Sequence, residues 1–280
     1  LGSKIASRDG EVTSSSPSSP SSPSLPHYLW MQLNMTFPIY FWLGPLRIHP
    51  HILFESLAYA TAFRLLLRNV RKDSISASQR GSVMVGGMVG ALIGAKVLVG
   101  LQHIDLIWQN LEQLLLILLQ GKTVVGALLG GLIGVEITKK IIGVNQSTGD
   151  VFVYPLIVGT GIGRIGCFLT GLSDRTYGIA TSLPWGVDFG DGIFRHPTQL
   201  YEIIFLLILI LFLKVRSRYN YQNGDLFKFY LVLYFSFRFL IDFIKPEFRP
   251  LLGLSAIQFA CLLTLLYYRQ TIPQIFQTKI

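Results

Sequence analysis

The chain has 280 residues, of which 51% are hydrophobic and only 14% charged, against about 25% charged in a soluble domain. A mean hydropathy of +0.50 and apolar runs recurring from about residue 50 to the end exclude a water-soluble fold, and the runs far exceed the roughly 10 alternating residues of an outer-membrane strand, which excludes a barrel. The net charge of +9 would point to nucleic acid in a soluble protein, but in a membrane protein basic residues collect in inner loops, and no nucleic-acid partner is expected.

Residues 1–36 stand apart. The stretch Thr13–Ser24 is almost entirely Ser and Pro, a composition that buries nothing and predicts disorder. It lacks the apolar core of a signal peptide. With Met31 and Met35 just ahead of the first apolar segment, the expectation is a start-site artefact or a fragment end, followed by one membrane domain over residues 37–280.

Seven spans are predicted: Ile52–Leu67, Ser82–Leu101, Thr123–Ile142, Val151–Leu172, Pro197–Val215, Leu226–Ile244 and Leu251–Tyr268. The expected fold is therefore all-α, a polytopic integral membrane protein. Glycines at Gly86, Gly87, Gly90 and Gly94 in the second span, and Gly126, Gly130, Gly131 and Gly134 in the third, predict close helix approach. The segment Leu111–Leu119 is too short to cross and reads as interfacial or re-entrant. The denser basic clusters, around Arg71 and Arg216, fall inside if the N-terminus is outside and the C-terminus inside. That orientation puts a small connection between spans 4 and 5, residues 173–196, on the extracytoplasmic side.

Charged residues inside spans demand a partner or a wet cavity, because each costs at least ~2.5–3.5 kcal/mol at a helix centre. Arg64, Lys96 and Glu136 lie toward helix ends and read as snorkelling side chains. Arg238 and Asp242 are four apart and are expected to pair; His51 and Glu55 repeat that spacing. Arg164 has no such local partner and sits in Gly161-Ile162-Gly163-Arg164-Ile165-Gly166. Glycines there strip bulk from around a guanidinium, leaving its fork for an anion such as phosphate. The run Arg195-His196-Pro197-Thr198-Gln199-Leu200-Tyr201-Glu202 gathers Arg195, His196, Gln199, Tyr201 and Glu202 at one interface, as a polar site or as an anchor belt. Two arginines fixed in a bilayer suggest handling of a phospholipid headgroup. Cys167 and Cys261 lie in apolar runs without metal-site spacing, and Cys167 reads as a small buried apolar residue more than as a covalent acceptor.

Several stretches then occur together in one order: Leu43-Gly44-Pro45, Leu128–Val135, Gly163–Gly166 with Phe168, Leu183–Gly186, Arg195–Glu202, Tyr234–Phe239 and Asp242-Phe243. In these the chain resembles the phosphatidylglycerol–prolipoprotein diacylglyceryl transferases. The resemblance implies a multi-pass enzyme of the bacterial cytoplasmic (inner) membrane that moves the diacylglyceryl group of phosphatidylglycerol to the thiol of a lipobox cysteine in a prolipoprotein signal peptide, releasing glycerol-1-phosphate. It implies no metal and no soluble cofactor. It makes Arg164 and Arg238 the phosphate clamp and leaving-group stabilisers, with Gly163 and Gly166 beside the clamp, Tyr234 supporting Arg238, and Asp242 in the place of the family's Glu.

The chain departs from the family on the acceptor side. Leu129 stands where the family has the His expected to activate the thiol. Cys167, Thr170 and Leu172 replace Asn, Asn and Glu, and His51 replaces a Tyr. Asp174 is a candidate replacement for the lost Glu. Three readings follow. The first is a transferase whose base is now His51, His196 or Glu202, with His51 beside Glu55 foremost. The second is a divergent paralogue using a phospholipid with another acceptor, or hydrolysing it. The third is a non-catalytic lipid-binding membrane protein.

Overall fold

A computed structural model of the chain describes residues 36–69, 75–106, 110–219, 221–249 and 252–276. The expected tail up to residue 35, with Met31 and Met35, and the inner-loop residues Arg71 and Lys72 lie outside the described residues, as does Leu251.

Each expected span is found as a helix. These are α1 (Pro50–Asn69), α2 (Ala77–Gln102), α4 (Val124–Ile141), α5 (Val153–Thr170), α6 (Thr198–Arg216), α7 (Asp225–Ile241) and α8 (Ala256–Tyr267), with the short α3 (Leu111–Gln120) before α4 and α9 (Thr271–Phe276) at the end. Three stretches are long and apolar enough to cross a membrane: α2, α6, and α5 with its flanking 3-10 turns. A fourth is added if α3 and α4, bent by 72°, form one span. The 12 residues of α8 reach only ~18 Å at 1.5 Å per residue, short of the ~30 Å hydrocarbon core.

Local sequence explains the helix starts. Ser76 and Ser255 each accept from the N–H three residues on and are answered by Gln79 and Gln258, a reciprocal cap on α2 and α8. Thr123 caps α4 in the same way with one bond, and Pro50 takes the first position of α1, where no N–H is needed. Arg68, Lys139, Lys140, Lys214 and Arg216 fall in last turns, where cations suit the helix dipole.

The fold is mostly helical, not wholly so. Two small antiparallel hairpins join the helices: β1 (Phe41–Leu43) with β2 (Leu46–Ile48), and β3 (Val187–Asp188) with β4 (Phe194–Arg195). The turn of the second is built by Asp188, whose Oδ1 accepts from the N–H groups of Gly190, Asp191 and Gly192, with both glycines at positive φ.

Helix α2 lies against α4, α1 against α5, α5 against α6 and α7 against α8. The glycines of α2 and α4 face one another as Gly86 with Gly134, Gly90 with Gly130 and Gly94 with Gly126. A Cβ added at any of the six would overlap backbone or side-chain atoms of the other helix. The core is shared by α5, α6, α7 and α8 through Ile157, Leu206, Leu213, Phe229, Tyr234, Phe235 and Cys261. Large apolar side chains such as Leu92, Ile93, Leu207, Ile208, Leu211 and Leu263 point outward, the surface a lipid solvent requires.

Candidate phosphate clamp and acceptor site

The C-terminal turns of α5 and α7 and the N-terminal turns of α1 and α6 bring the polar residues to one end of the bundle. At its centre is Glu202, the fifth residue of α6, with 2% of its surface exposed. Its Oε2 lies 2.9 Å from Nε of Arg164 on α5 and 3.1 Å from a terminal nitrogen of Arg238 on α7. Its Oε1 accepts from the Tyr234 hydroxyl at 2.7 Å. Three helices are thus tied through one carboxylate, which offsets the desolvation of two buried guanidiniums.

This pairing corrects two expectations. Arg164 is not without a protein partner, since Glu202 engages its Nε edge. Arg238 pairs with Glu202 and makes no ion pair with Asp242 among the described residues. The helix ends at Ile241, and Asp242 opens a 3-10 turn, so the four-residue spacing no longer places the two side chains together. Asp242 instead accepts from the hydroxyl of Ser255, the cap of α8, and its backbone carbonyl accepts from Arg249. Its Oδ1 is buried without a hydrogen-bond partner.

Glu202 engages both oxygens, Oε2 with the two arginines and Oε1 with Tyr234. Gly166 serves helix approach: a Cβ there would stand 2.7 Å from Cβ of Phe54 and 3.6 Å from Cα of His51. Gly163 faces open space, with nothing within 4 Å of a Cβ at that position.

Lys245, just past the 3-10 turn that follows α7, is only 5% exposed and was not among the expected site residues. Burial first, and then the Arg238 and Arg164 charges, push its proton affinity down to about 8. No helical period marks it, because it follows the last turn of the sixth predicted span.

A second group lies against the first. His51 Nδ1 is 2.8 Å from Oδ1 of Asp174, and its Nε2 is 3.5 Å from Oε2 of Glu55. Glu55 is also held by Lys122, just before α4, and by the Tyr59 hydroxyl at 3.0 Å. The pairing of His51 with Glu55 expected from spacing is present, and Asp174 is the closer carboxylate. Cys167 joins the group: one ligand atom from each of His51, Cys167 and Asp174 lies within 4.8 Å of the other two. The two groups meet where an Arg164 terminal nitrogen reaches Sγ of Cys167 at 3.9 Å.

A hydrogen-bonded relay continues outward. Thr176 donates to Asp174 at 2.6 Å and accepts from Gln199 at 3.0 Å, while Oε1 of Gln199 is buried without a partner. The rest of the predicted polar run is spent at the loop. Arg195 makes a two-pronged contact with Asp191 at 2.6 and 2.7 Å, which lowers the proton affinity of Asp191 and raises that of Arg195. His196 Nδ1 faces the Tyr201 hydroxyl at 3.1 Å, and that hydroxyl accepts from the Trp185 ring at 2.8 Å. Leu129, at the position of the family's His, packs partly buried against the apolar core.

Comparison with known proteins agrees with the motif order. The family model for prolipoprotein diacylglyceryl transferase matches residues 38–271. A phosphatidylglycerol–prolipoprotein diacylglyceryl transferase of Clostridium tetani is 32% identical over 238 residues, covering 82% of this chain and 94% of its own. The enzymes of the same name from Coxiella burnetii (33% identical; 78% and 85% covered) and Geobacter sulfurreducens (29% identical; 81% and 88% covered) are similar over comparable lengths. A buried pair of guanidiniums at one end of an apolar bundle and the match over nearly all the described residues point the same way: the chain belongs to the prolipoprotein diacylglyceryl transferase family.

Proposed function

We propose that the chain transfers the diacylglyceryl group of phosphatidylglycerol to the thiol of a lipobox cysteine, releasing glycerol-1-phosphate. The observation that carries the reading is the sharing of one buried carboxylate by Arg164 and Arg238 from different helices. Glu202 leaves the pair with a surplus of positive charge, to which buried Lys245 adds. Guanidinium forks match the oxygens of a phosphodiester and gain strength as the leaving phosphate acquires charge. Glu202 and Tyr234 are positioning residues for the two arginines.

The protein sits in the bacterial cytoplasmic membrane as a multi-pass protein of seven spans, N-terminus outside and C-terminus inside. In that orientation the clamp, His51, Asp174 and the hairpin at residues 187–195 share the outer end. A signal peptide in the bilayer presents its cysteine there, and the lipid donor enters beside it. The attacking sulfur forms a bond to the glyceryl carbon as the carbon–oxygen bond to phosphate breaks, and the electron pair leaves with glycerol-1-phosphate.

The test uses purified protein in detergent and phosphatidylglycerol labelled in its headgroup glycerol, with and without a lipobox peptide. Labelled glycerol-1-phosphate released only with peptide supports transfer. Release without peptide would replace it with hydrolysis, and no release with lipid bound would replace it with lipid binding alone.

A further inference from the structure

The His51, Cys167 and Asp174 cluster lies beside the arginine pair and is not needed to hold the phosphate. Its residues come from the first turn of α1, the last turn of α5 and the 3-10 turn that follows. Imidazole, thiolate and carboxylate are the donor types that zinc takes. With bonds of about 2.0–2.3 Å, neighbouring ligands of a tetrahedral zinc stand roughly 3.3–3.8 Å apart, so ligand atoms already within 4.8 Å need only side-chain adjustment to close on an ion.

The surroundings also suit a metal. With Nδ1 turned to Asp174, the other ring nitrogen of His51 faces Glu55 at 3.5 Å, and Glu55 is itself fixed by Lys122 and Tyr59. A ligating histidine that gives its second N–H to an anchored carboxylate is the usual supporting arrangement. Asp174 is held in the same way by Thr176 at 2.6 Å. The three residues supply three ligands, and three protein ligands with a vacant fourth position define a catalytic rather than a structural zinc site.

We propose that His51, Cys167 and Asp174 bind a zinc ion whose fourth position takes the thiol of the acceptor cysteine and delivers it as thiolate to the lipid held by Arg164 and Arg238. The identity of that thiol rests on the transferase reading above. Coordination strips the thiol of its proton, which passes to water, because a zinc-bound thiol is deprotonated outright. The zinc-held sulfur then bonds to the glyceryl carbon, the carbon–oxygen bond breaks, and its electron pair departs on the phosphate. Placement favours the step, since Cys167 Sγ is 3.9 Å from the Arg164 guanidinium. The device also accounts for an apolar Leu129 in the place of the family's histidine: a metal-activated thiol needs no base there.

The test begins with the full chain, purified without chelator, and its metal content by mass spectrometry. One equivalent of zinc is expected. After stripping, cobalt(II) should give tetrahedral ligand-field bands and a sulfur-to-cobalt charge-transfer band that strengthens when a lipobox-cysteine peptide adds a second thiolate. Cys167→Ser should abolish the charge-transfer band of the peptide-free protein. Because Cys167 is buried and its substitution could unsettle packing, Asp174→Asn, which keeps the side chain's size, serves as the second variant and should weaken cobalt binding at least tenfold. A stripped protein that keeps full peptide-dependent release of glycerol-1-phosphate would overturn the zinc site and leave the transferase standing. A wild-type protein that binds no zinc and gives no sulfur band with cobalt would also overturn it. Metal binding with the peptide-induced band, but no transfer from any phospholipid, would uphold the site and sink the transferase reading.

Discussion

Arg164 and Glu202 meet at 2.9 Å between guanidinium Nε and carboxylate Oε2, with both side chains withdrawn from solvent. The same oxygen faces Arg238 at 3.1 Å. Removing the carboxylate's charge would strand two buried cations, and breaking such a pair costs about 3–5 kcal/mol. Glu202→Gln is therefore expected to lower thermal stability in detergent steeply, and a bound phosphodiester should recover part of the loss. Phosphatidylglycerol that protects the variant no more than it protects the wild type would count against the clamp.

Arg164→Lys and Arg238→Lys keep the charge and lose the planar fork. Each should lower peptide-dependent release of glycerol-1-phosphate by about 10²-fold, the typical cost of one donor to a developing oxyanion. The loss should fall mainly in kcat, because the charge that holds the ground-state lipid remains. Wild-type turnover by both variants would remove the arginines from the reaction.

Lys245 carries a pH signature. Its proton affinity lies at about 8 in the folded protein against 10.5 for an ordinary lysine, so between those values the unfolded chain binds more protons. Stability then rises with pH across that window and carries the full burial cost below it. The lipid responds oppositely, since the cation that attracts phosphate is lost above about pH 8 and KM for phosphatidylglycerol should climb. Thermal scans and KM for phosphatidylglycerol, each followed from pH 7 to 11 in wild type and Lys245→Met, separate the two effects: the variant should lose this pH dependence in both.

Gly130 and Gly163 make a contrast. A Cβ at Gly130 would overlap the Gly90 backbone, whereas one at Gly163 meets nothing within 4 Å. Gly130→Val is expected to destabilise by about 1–3 kcal/mol or more through overpacking. Gly163→Ala should be neutral or gain up to ~1 kcal/mol from helix propensity. If the open side of Gly163 receives lipid, the alanine variant will be stable and slower with phosphatidylglycerol.

Hydropathy located a helix in each predicted stretch, because each carries a long apolar run even where charges such as Glu55, Arg64 and Arg238 interrupt it, and the glycine spacing anticipated a close helix approach, which is found between α2 and α4. The hairpins were not legible, since strands of two or three residues show no alternation. The partners inside the site were legible only where spacing is local, as for His51 and Glu55. Glu202 pairs with residues from two other helices, and the His51–Asp174 contact joins the start of α1 to the end of α5, relations that no single-helix period encodes. The one local pairing that failed, Arg238 with Asp242, did so because a helix terminus fell between them.

The facing glycines of α2 and α4 leave these helices in backbone contact, without side chains between them that could rotate aside. Such a seam resists parting, because any gap would forfeit close packing that neither lipid tail nor water can restore. The pair behaves as one stiff plank in the wall of the bundle. A lipid sliding in from the bilayer, or a lipidated product sliding out, must then pass between other helices, and the mobility that sets the rate of product escape belongs to them.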